Sequence, residues 1–119
     1  IVIVGADPYG SILGGGDDIH PYKVEGIGYD FFPDVLDNSL VDKYIKVNDE
    51  NSFDMARQLI KKEGLLCGGS SGTVVWAALQ TAQKLKQGQN CLCILADGIR
   101  NYMSKFVADE WMEKNNFKK

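Results

Sequence analysis

The segment Glu63-Gly64-Leu65-Leu66-Cys67-Gly68-Gly69-Ser70-Ser71-Gly72 constrains this 119-residue chain more than any other. A short apolar run stops at two glycines and passes at once into a stretch of helical character. Gly permits a tight turn and a close backbone approach. Ser70 or Ser71 suits a helix start, where a hydroxyl satisfies free N–H groups. A strand running straight into a helix belongs to α/β folds, which bind ligands at that junction. The segment therefore points to a small-molecule site without naming the molecule.

The rest of the chain alternates strand and helix signals. Ile1-Val2-Ile3-Val4-Gly5 reads as the middle of a buried parallel strand, so the chain is expected to be a portion of a longer one. A Gly-rich loop follows over residues 5–32, with an exposed tip at Asp17 and Asp18. Asp42 to Val47 predicts a short strand. Asn48, Asp49, Asn51 and Ser52 then supply N-cap chemistry for a helix with Phe53, Ala56, Leu59 and Ile60 on one face. Lys61 and Lys62 suit its C-terminal end, and Gly64 stops it. Leu65 to Cys67 predicts another strand, and a second helix capped by Ser70 or Ser71 runs to Gly88. Cys91 to Ala96 predicts a further strand, and Ser104 caps a last helix with Val107 and Trp111 on one face. The Lys114–Lys119 end reads as a solvated helix end or linker. Such alternation favours a parallel sheet covered by helices, a three-layer Rossmann-like α/β architecture.

Composition excludes several classes. A net charge of −3 argues against nucleic-acid or membrane-surface binding, since both need a basic face. No apolar run approaches the roughly 20 residues of a membrane span. Three cysteines in apolar runs (Cys67, Cys91, Cys93) read as buried and reduced, which suggests a cytoplasmic setting. Cys91 and Cys93 share a strand face. With His20 the sole histidine and no second Cys pair, they read as core residues rather than metal ligands.

Three loops are expected to meet at one sheet edge. Gly68 to Gly72 either cradles an anion through backbone N–H groups or forms a plain tight turn with a Ser cap. It lacks the Lys of a Walker A loop. Glu25-Gly26-Ile27-Gly28-Tyr29-Asp30 either brings backbone and the Tyr29 hydroxyl to a ligand or forms a hairpin-like turn. Asp97 and Arg100 either recognise charge or pair with each other to steady their own loop.

Taken together, Glu25-Gly26-Ile27-Gly28-Tyr29-Asp30-Phe31, Glu63 to Ser70, and Asn101-Tyr102-Met103-Ser104-Lys105-Phe106 resemble the cystathionine β-synthase family. Asp7-Pro8 followed by Gly10-Ser11-Ile12-Leu13 fits the same family. It belongs to the β-family, fold type II, of pyridoxal-phosphate (PLP) enzymes, and the resemblance covers nearly the whole chain. It implies a lyase that replaces the β-hydroxyl of serine with the sulfur of homocysteine. It also implies PLP as cofactor and a homo-oligomer, expected to be a dimer. By the same resemblance, Ser70 hydrogen-bonds the pyridine nitrogen of the cofactor, with Gly69 and Gly26 beside it. Tyr29 is the catalytic candidate next to the amino acid, and Gly28 and Asp97 belong to the substrate loops. A Ser hydroxyl leaves that nitrogen largely uncharged, whereas a carboxylate would hold it protonated.

The chain departs from the family pattern at Ala96, where the family usually has Pro; the loop is less stiff for it. The family's Schiff-base lysine and Gly/Thr-rich phosphate loop lie upstream, and Lys23, Lys43 and Lys46 do not stand in that lysine's context. The chain is thus expected to be the C-terminal portion of a catalytic core, residues 1–119, inactive by itself. The haem segment and regulatory domain of the family lie outside it. Cysteine synthase and serine dehydratase share the fold, though Tyr29 and Asn101-Tyr102-Met103 argue against them. A non-catalytic α/β binding module that kept the Gly-rich loops is the alternative from another class.

Overall fold

In the computed structural model, which describes residues 1–118, β1 (Val4–Pro8) and β2 (Lys43–Val47) pair in parallel, Val4 opposite Lys43 and Pro8 opposite Val47. Pro8 has no N–H to donate, and the ladder is continued by the Tyr9 N–H to the Val47 carbonyl at 3.2 Å. Parallel strands need a crossover of a dozen or more residues, usually helical. Here the Gly-rich loop makes the crossover, with one 3₁₀ turn at Asn38–Leu40.

α1 (Asp49–Gln58) starts as its sequence dictates. The Asn48 side chain accepts the Asn51 N–H at 2.8 Å, and Asp49 and Glu50 lie in the first turn, where the helix dipole favours acids. The helix widens into a π turn over Leu59–Glu63 and ends at Gly64, whose φ of +67° is a left-handed conformation natural to Gly. α2 (Gly69–Ala82) crosses close to α1 through small buried residues: Ser52 and Ala56 on one helix, Gly72 and Thr73 on the other. The Thr73 hydroxyl donates to Ser52 Oγ at 2.7 Å, and Ser52 Oγ donates to the Asn48 carbonyl at 3.0 Å, so these buried hydroxyls are satisfied. α3 (Asp109–Lys114) closes the fold.

The core lies between α1, α3 and the loop residue Val24. Phe53 stacks on Phe106 (centroids 5.5 Å apart) and meets Trp111 (5.3 Å) and Phe117 (5.4 Å) edge-on, spacings typical of favourable aromatic pairs. Burying a side chain of this size is worth roughly 1.5–3 kcal/mol. Arg57 ties α1 to the segment before α3 by donating to the Phe106 carbonyl at 2.9 Å and the Val107 carbonyl at 3.3 Å; its other nitrogen pairs with Asp109.

Several expectations are corrected. The first strand is Val4–Pro8 rather than residues 1–5, because Ile1 and Val2 are exposed and unpaired within the described residues. Leu65–Cys67 is reduced to one antiparallel bridge, Cys67 with Gly98. Cys91–Ala96 is not a strand: a strand exists only through hydrogen bonds to a neighbour, and this run finds none among the described residues, leaving Leu92 and Ile94 exposed. Only Cys67 of the three cysteines is buried; Cys91 is exposed and Cys93 partly so. Gly68, not Ser70 or Ser71, is the N-cap of α2, which ends at Ala82, well before Gly88. Ser104 caps nothing: α3 begins after Ala108, although Val107 and Trp111 both pack on the core as expected. Of the lysine-rich end, Lys119 lies outside the described residues. Among the described residues no helix is long and apolar enough to cross a membrane.

Candidate active site

The Gly26–Tyr29 loop is fixed at both ends. The Asp49 carboxylate accepts the N–H groups of Lys23 (2.6 Å) and Val24 (2.9 Å), which lets Val24 sink into the core. At the other end the Tyr29 N–H donates to Ser11 Oγ at 3.1 Å. Between them Gly26 and Gly28 have φ of +83° and +77°, which a side chain would strain. A Cβ on Gly26 would meet nothing within 4 Å, whereas one on Gly28 would lie 2.5 Å from the Tyr22 hydroxyl and 2.7 Å from Pro8. The Tyr29 ring is half exposed and leans on Phe31, centroids 4.9 Å apart. Glu25 pairs with Lys105, joining the loop to the segment after Tyr102.

The turn into α2 is shaped mainly by packing. A Cβ on Gly68 would lie 2.0 Å from Asp97 Oδ1, and one on Gly69 2.9 Å from the Phe53 ring. Gly68 N–H donates to the Asp97 carbonyl at 3.1 Å and is therefore not free for an anion. Ser70 and Ser71 stand in the buried first turn, and the Ser71 hydroxyl has no hydrogen-bond partner among the described residues. Burial is the main effect on the neighbouring Cys67 thiol and pushes it up. A thiol raised by burial is a weaker nucleophile.

Asp97 is exposed and bonds Tyr102, not Arg100. The buried Tyr102 hydroxyl donates to Asp97 Oδ2 at 2.5 Å. Tyr102 also stands beside Gly68 and, with Glu25 and Gly69, lines a narrow void between the three loops. Tyr102 is thus the side chain that joins the loops. Its motif was visible in the sequence, but its partner was not. In the sequence Asp49 reads only as part of a helix start, and Ser11 only as part of a segment that fits the family. Tyr29 lies at the far end of its loop, bonded to Ser11 rather than to Ser70 or Asp97. An open groove of about 460 Å³ along α1 is lined by Arg57, Lys61 and Val107 and includes none of the candidate residues.

The Tyr102 phenol is pushed up to about 12, first by its bond to Asp97 and then by burial. Its folded pKa lies above the ordinary value of 10, so its stabilisation is complete below pH 10 and is lost as pH rises towards about 12. Tyr102→Phe in the full-length protein is expected to be less stable than wild type below pH 10, with the gap closing towards pH 12. Urea unfolding across that range checks this; a gap independent of pH overturns it.

A family model described as "Pyridoxal-phosphate dependent enzyme" matches residues 1–97. The chain belongs to the pyridoxal-phosphate dependent enzymes. Within them it is 54% identical to cystathionine β-synthase of Dictyostelium discoideum and 53% to that of Rattus norvegicus, in each case over 98% of this chain. It spans about a quarter of those relatives' length, 24% and 22%. The crystal structure of the O-acetylserine dependent cystathionine β-synthase of Helicobacter pylori superposes with a TM-score of 0.81 at 43% identity, covering 88% of this chain and 34% of that one. Cysteine synthase of Entamoeba histolytica gives 0.82 at 31% identity, over 87% of this chain and 31% of that one. The expected α/β fold type II architecture, with its parallel sheet and flanking helices, is borne out, and so is PLP as the family's cofactor.

The residues present fit such a group. The first turn of α2 offers the Ser70 hydroxyl, which keeps 7% of its surface accessible, and Gly26 leaves open space where a side chain would stand. A planar ring with a polar edge suits that combination of open backbone and hydroxyl.

Proposed function

We propose that these residues are part of a cystathionine β-synthase that condenses L-serine with L-homocysteine by β-replacement. The observation that carries this reading is the 50–54% identity, over 98% of the chain, to cystathionine β-synthases of amoeba, rat and yeast. PLP, when bound, supplies the electron sink for loss of the β-substituent. Ser70 would hold the ring nitrogen through its hydroxyl, with Gly69 and Gly26 leaving room for the ring. Gly28 and Asp97 would border the amino acid, and Tyr29 would orient it through a phenol that is already half exposed. The Tyr102–Asp97 bond would keep the third loop against the start of α2.

A second reading changes the leaving group. The relative from Bacillus subtilis, 44% identical over 101 residues, and the Helicobacter structure are both named O-acetylserine dependent. The test is product formation by the full-length, cofactor-loaded protein given serine or O-acetylserine, with homocysteine or sulfide. Cystathionine from serine and homocysteine is expected; turnover of O-acetylserine alone, or of sulfide alone, overturns the proposal. Borohydride reduction followed by peptide mapping is expected to fix the cofactor on a lysine outside residues 1–119. A label on Lys46 is not expected, because its ammonium is paired with Asp7 at 2.6 Å.

A further inference from the structure

Ser11 is buried, and its hydroxyl bonds the backbone of Tyr29 besides accepting the N–H of Leu13 at 3.3 Å in its own turn. Ser11 Oγ accepts the Tyr29 N–H at 3.1 Å and donates to the Tyr29 carbonyl at 3.2 Å; that carbonyl also accepts the Ile12 N–H at 3.0 Å. One residue thus grips both backbone polar groups of Tyr29. Ser11 is itself gripped from the sheet. The Lys46 ammonium donates to the Ser11 carbonyl and to Asp7 Oδ2, each at 2.6 Å. Asp7 and Lys46 are directly opposite in the parallel register, and Asp7 Oδ2 also accepts the Gly14 N–H at 2.8 Å. Asp7 is almost fully buried, so the pair is shielded from salt and water and its geometry is fixed. The path runs from the ends of β1 and β2, through Lys46 and Ser11, to the backbone of Tyr29.

Such a construction exceeds what a turn needs. Gly28, next to Tyr29, already has its φ of +77° and is wedged against Pro8 and Tyr22. What the additional bonds fix is where Tyr29 leaves the loop, and hence where its exposed phenol stands. We infer that Ser11, anchored by the Asp7–Lys46 pair, is a positioning residue that sets the Tyr29 phenol for the amino-acid substrate. This rests on the proposed role of Tyr29 and extends it to residues that no family role was assigned to here. Misplacing a reacting group by as little as 1 Å costs orders of magnitude in rate, so a loosened grip should be felt in turnover while the cofactor stays bound.

The test uses the full-length enzyme as a double-mutant cycle of Ser11→Ala and Tyr29→Phe. Ser11→Ala is expected to lower kcat about tenfold, with cofactor content and its absorbance spectrum unchanged. In the Tyr29→Phe background the same change is expected to cost almost nothing, since there is no phenol left to place. In the cofactor-free protein, amide exchange at Tyr29 and Ile12 should quicken about tenfold while exchange in α1 and α2 holds. Equal losses of kcat in both backgrounds, or faster exchange throughout the chain, overturn the inference. Normal turnover in Tyr29→Phe alone sinks the reading of Tyr29 itself and is distinguished from a failure of Ser11 by that single variant. Should Ser11→Ala not fold, Ser11→Cys keeps the volume with a weaker polar atom and is expected to give the same pattern at smaller size.

Discussion

Gly72→Ala is expected to destabilise the catalytic core by about 3 kcal/mol. The reason lies in what a Cβ would meet. It would fall 1.9 Å from the backbone carbonyl of Ser52, 2.7 Å from the Ala56 nitrogen and 2.9 Å from the Ala56 Cβ. All three belong to the body of α1, so no side chain can swing aside and the two helices must separate. Separation breaks the Thr73–Ser52 bond in a buried setting and opens space around Ala56 and Thr73, both fully buried. An unmade buried hydrogen bond costs roughly 1–3 kcal/mol on its own. Gly69→Ala is the informative comparison: its Cβ would meet the Phe53 ring at 2.9 Å, and a ring can tilt. Denaturant midpoints of the two variants in the full-length protein should therefore differ, Gly72→Ala being the worse. A Gly72→Ala protein within about 0.5 kcal/mol of wild type would show that the α1–α2 crossing is not set by this contact.

That glycine shows why the sequence was only partly legible. Gly68, Gly69, Ser70, Ser71 and Gly72 read either as a ligand cradle or as a plain tight turn. Packing accounts for the three glycines separately: Gly68 against Asp97, Gly69 against Phe53 and Gly72 against α1. Glycine in a sequence announces a missing side chain; whether a ligand or a neighbouring helix fills the space is a tertiary fact. β2, the Asn48 cap and the Gly64 stop were legible because each is written in adjacent residues. Cys91 to Ala96 carries the apolar pattern of a strand, but pattern supplies only the propensity, and a strand needs a partner. Ser104 has the chemistry of a cap, yet the chain turns through Ile99–Tyr102 and starts α3 only after Ala108, because Tyr102 and Phe106 are drawn into the core first. The candidate loops were all found. The partners of the side chains that join and aim them (Tyr102, Asp49, Ser11) were not, since each lies at least 5 positions away.

Ser70→Ala is expected to lower the affinity of the full-length protein for PLP about tenfold, the equivalent of losing one hydrogen bond of about 1.4 kcal/mol. Two adjacent serines occupy the first turn of α2, and they make opposite predictions. Ser71 is fully buried, with its hydroxyl lacking a partner among the described residues. Removing an unsatisfied buried polar atom is neutral or stabilising, so Ser71→Ala should hold or raise stability and leave cofactor affinity unchanged. Ser70 keeps 7% of its surface accessible and stands one residue nearer the mouth of the turn, where a ring edge can reach it. The proposed bond there is from or to an uncharged hydroxyl, and its loss should shift the absorbance of the bound cofactor as well as its affinity. Ser70→Asp separates the electrostatic part: a carboxylate would favour a protonated ring nitrogen and shift the absorbance in a way that Ser70→Ala does not. Titration of the cofactor-free protein with PLP, read by absorbance, compares all three variants. Unchanged affinity and spectrum in Ser70→Ala, or the loss falling on Ser71→Ala instead, would move the cofactor contact away from Ser70.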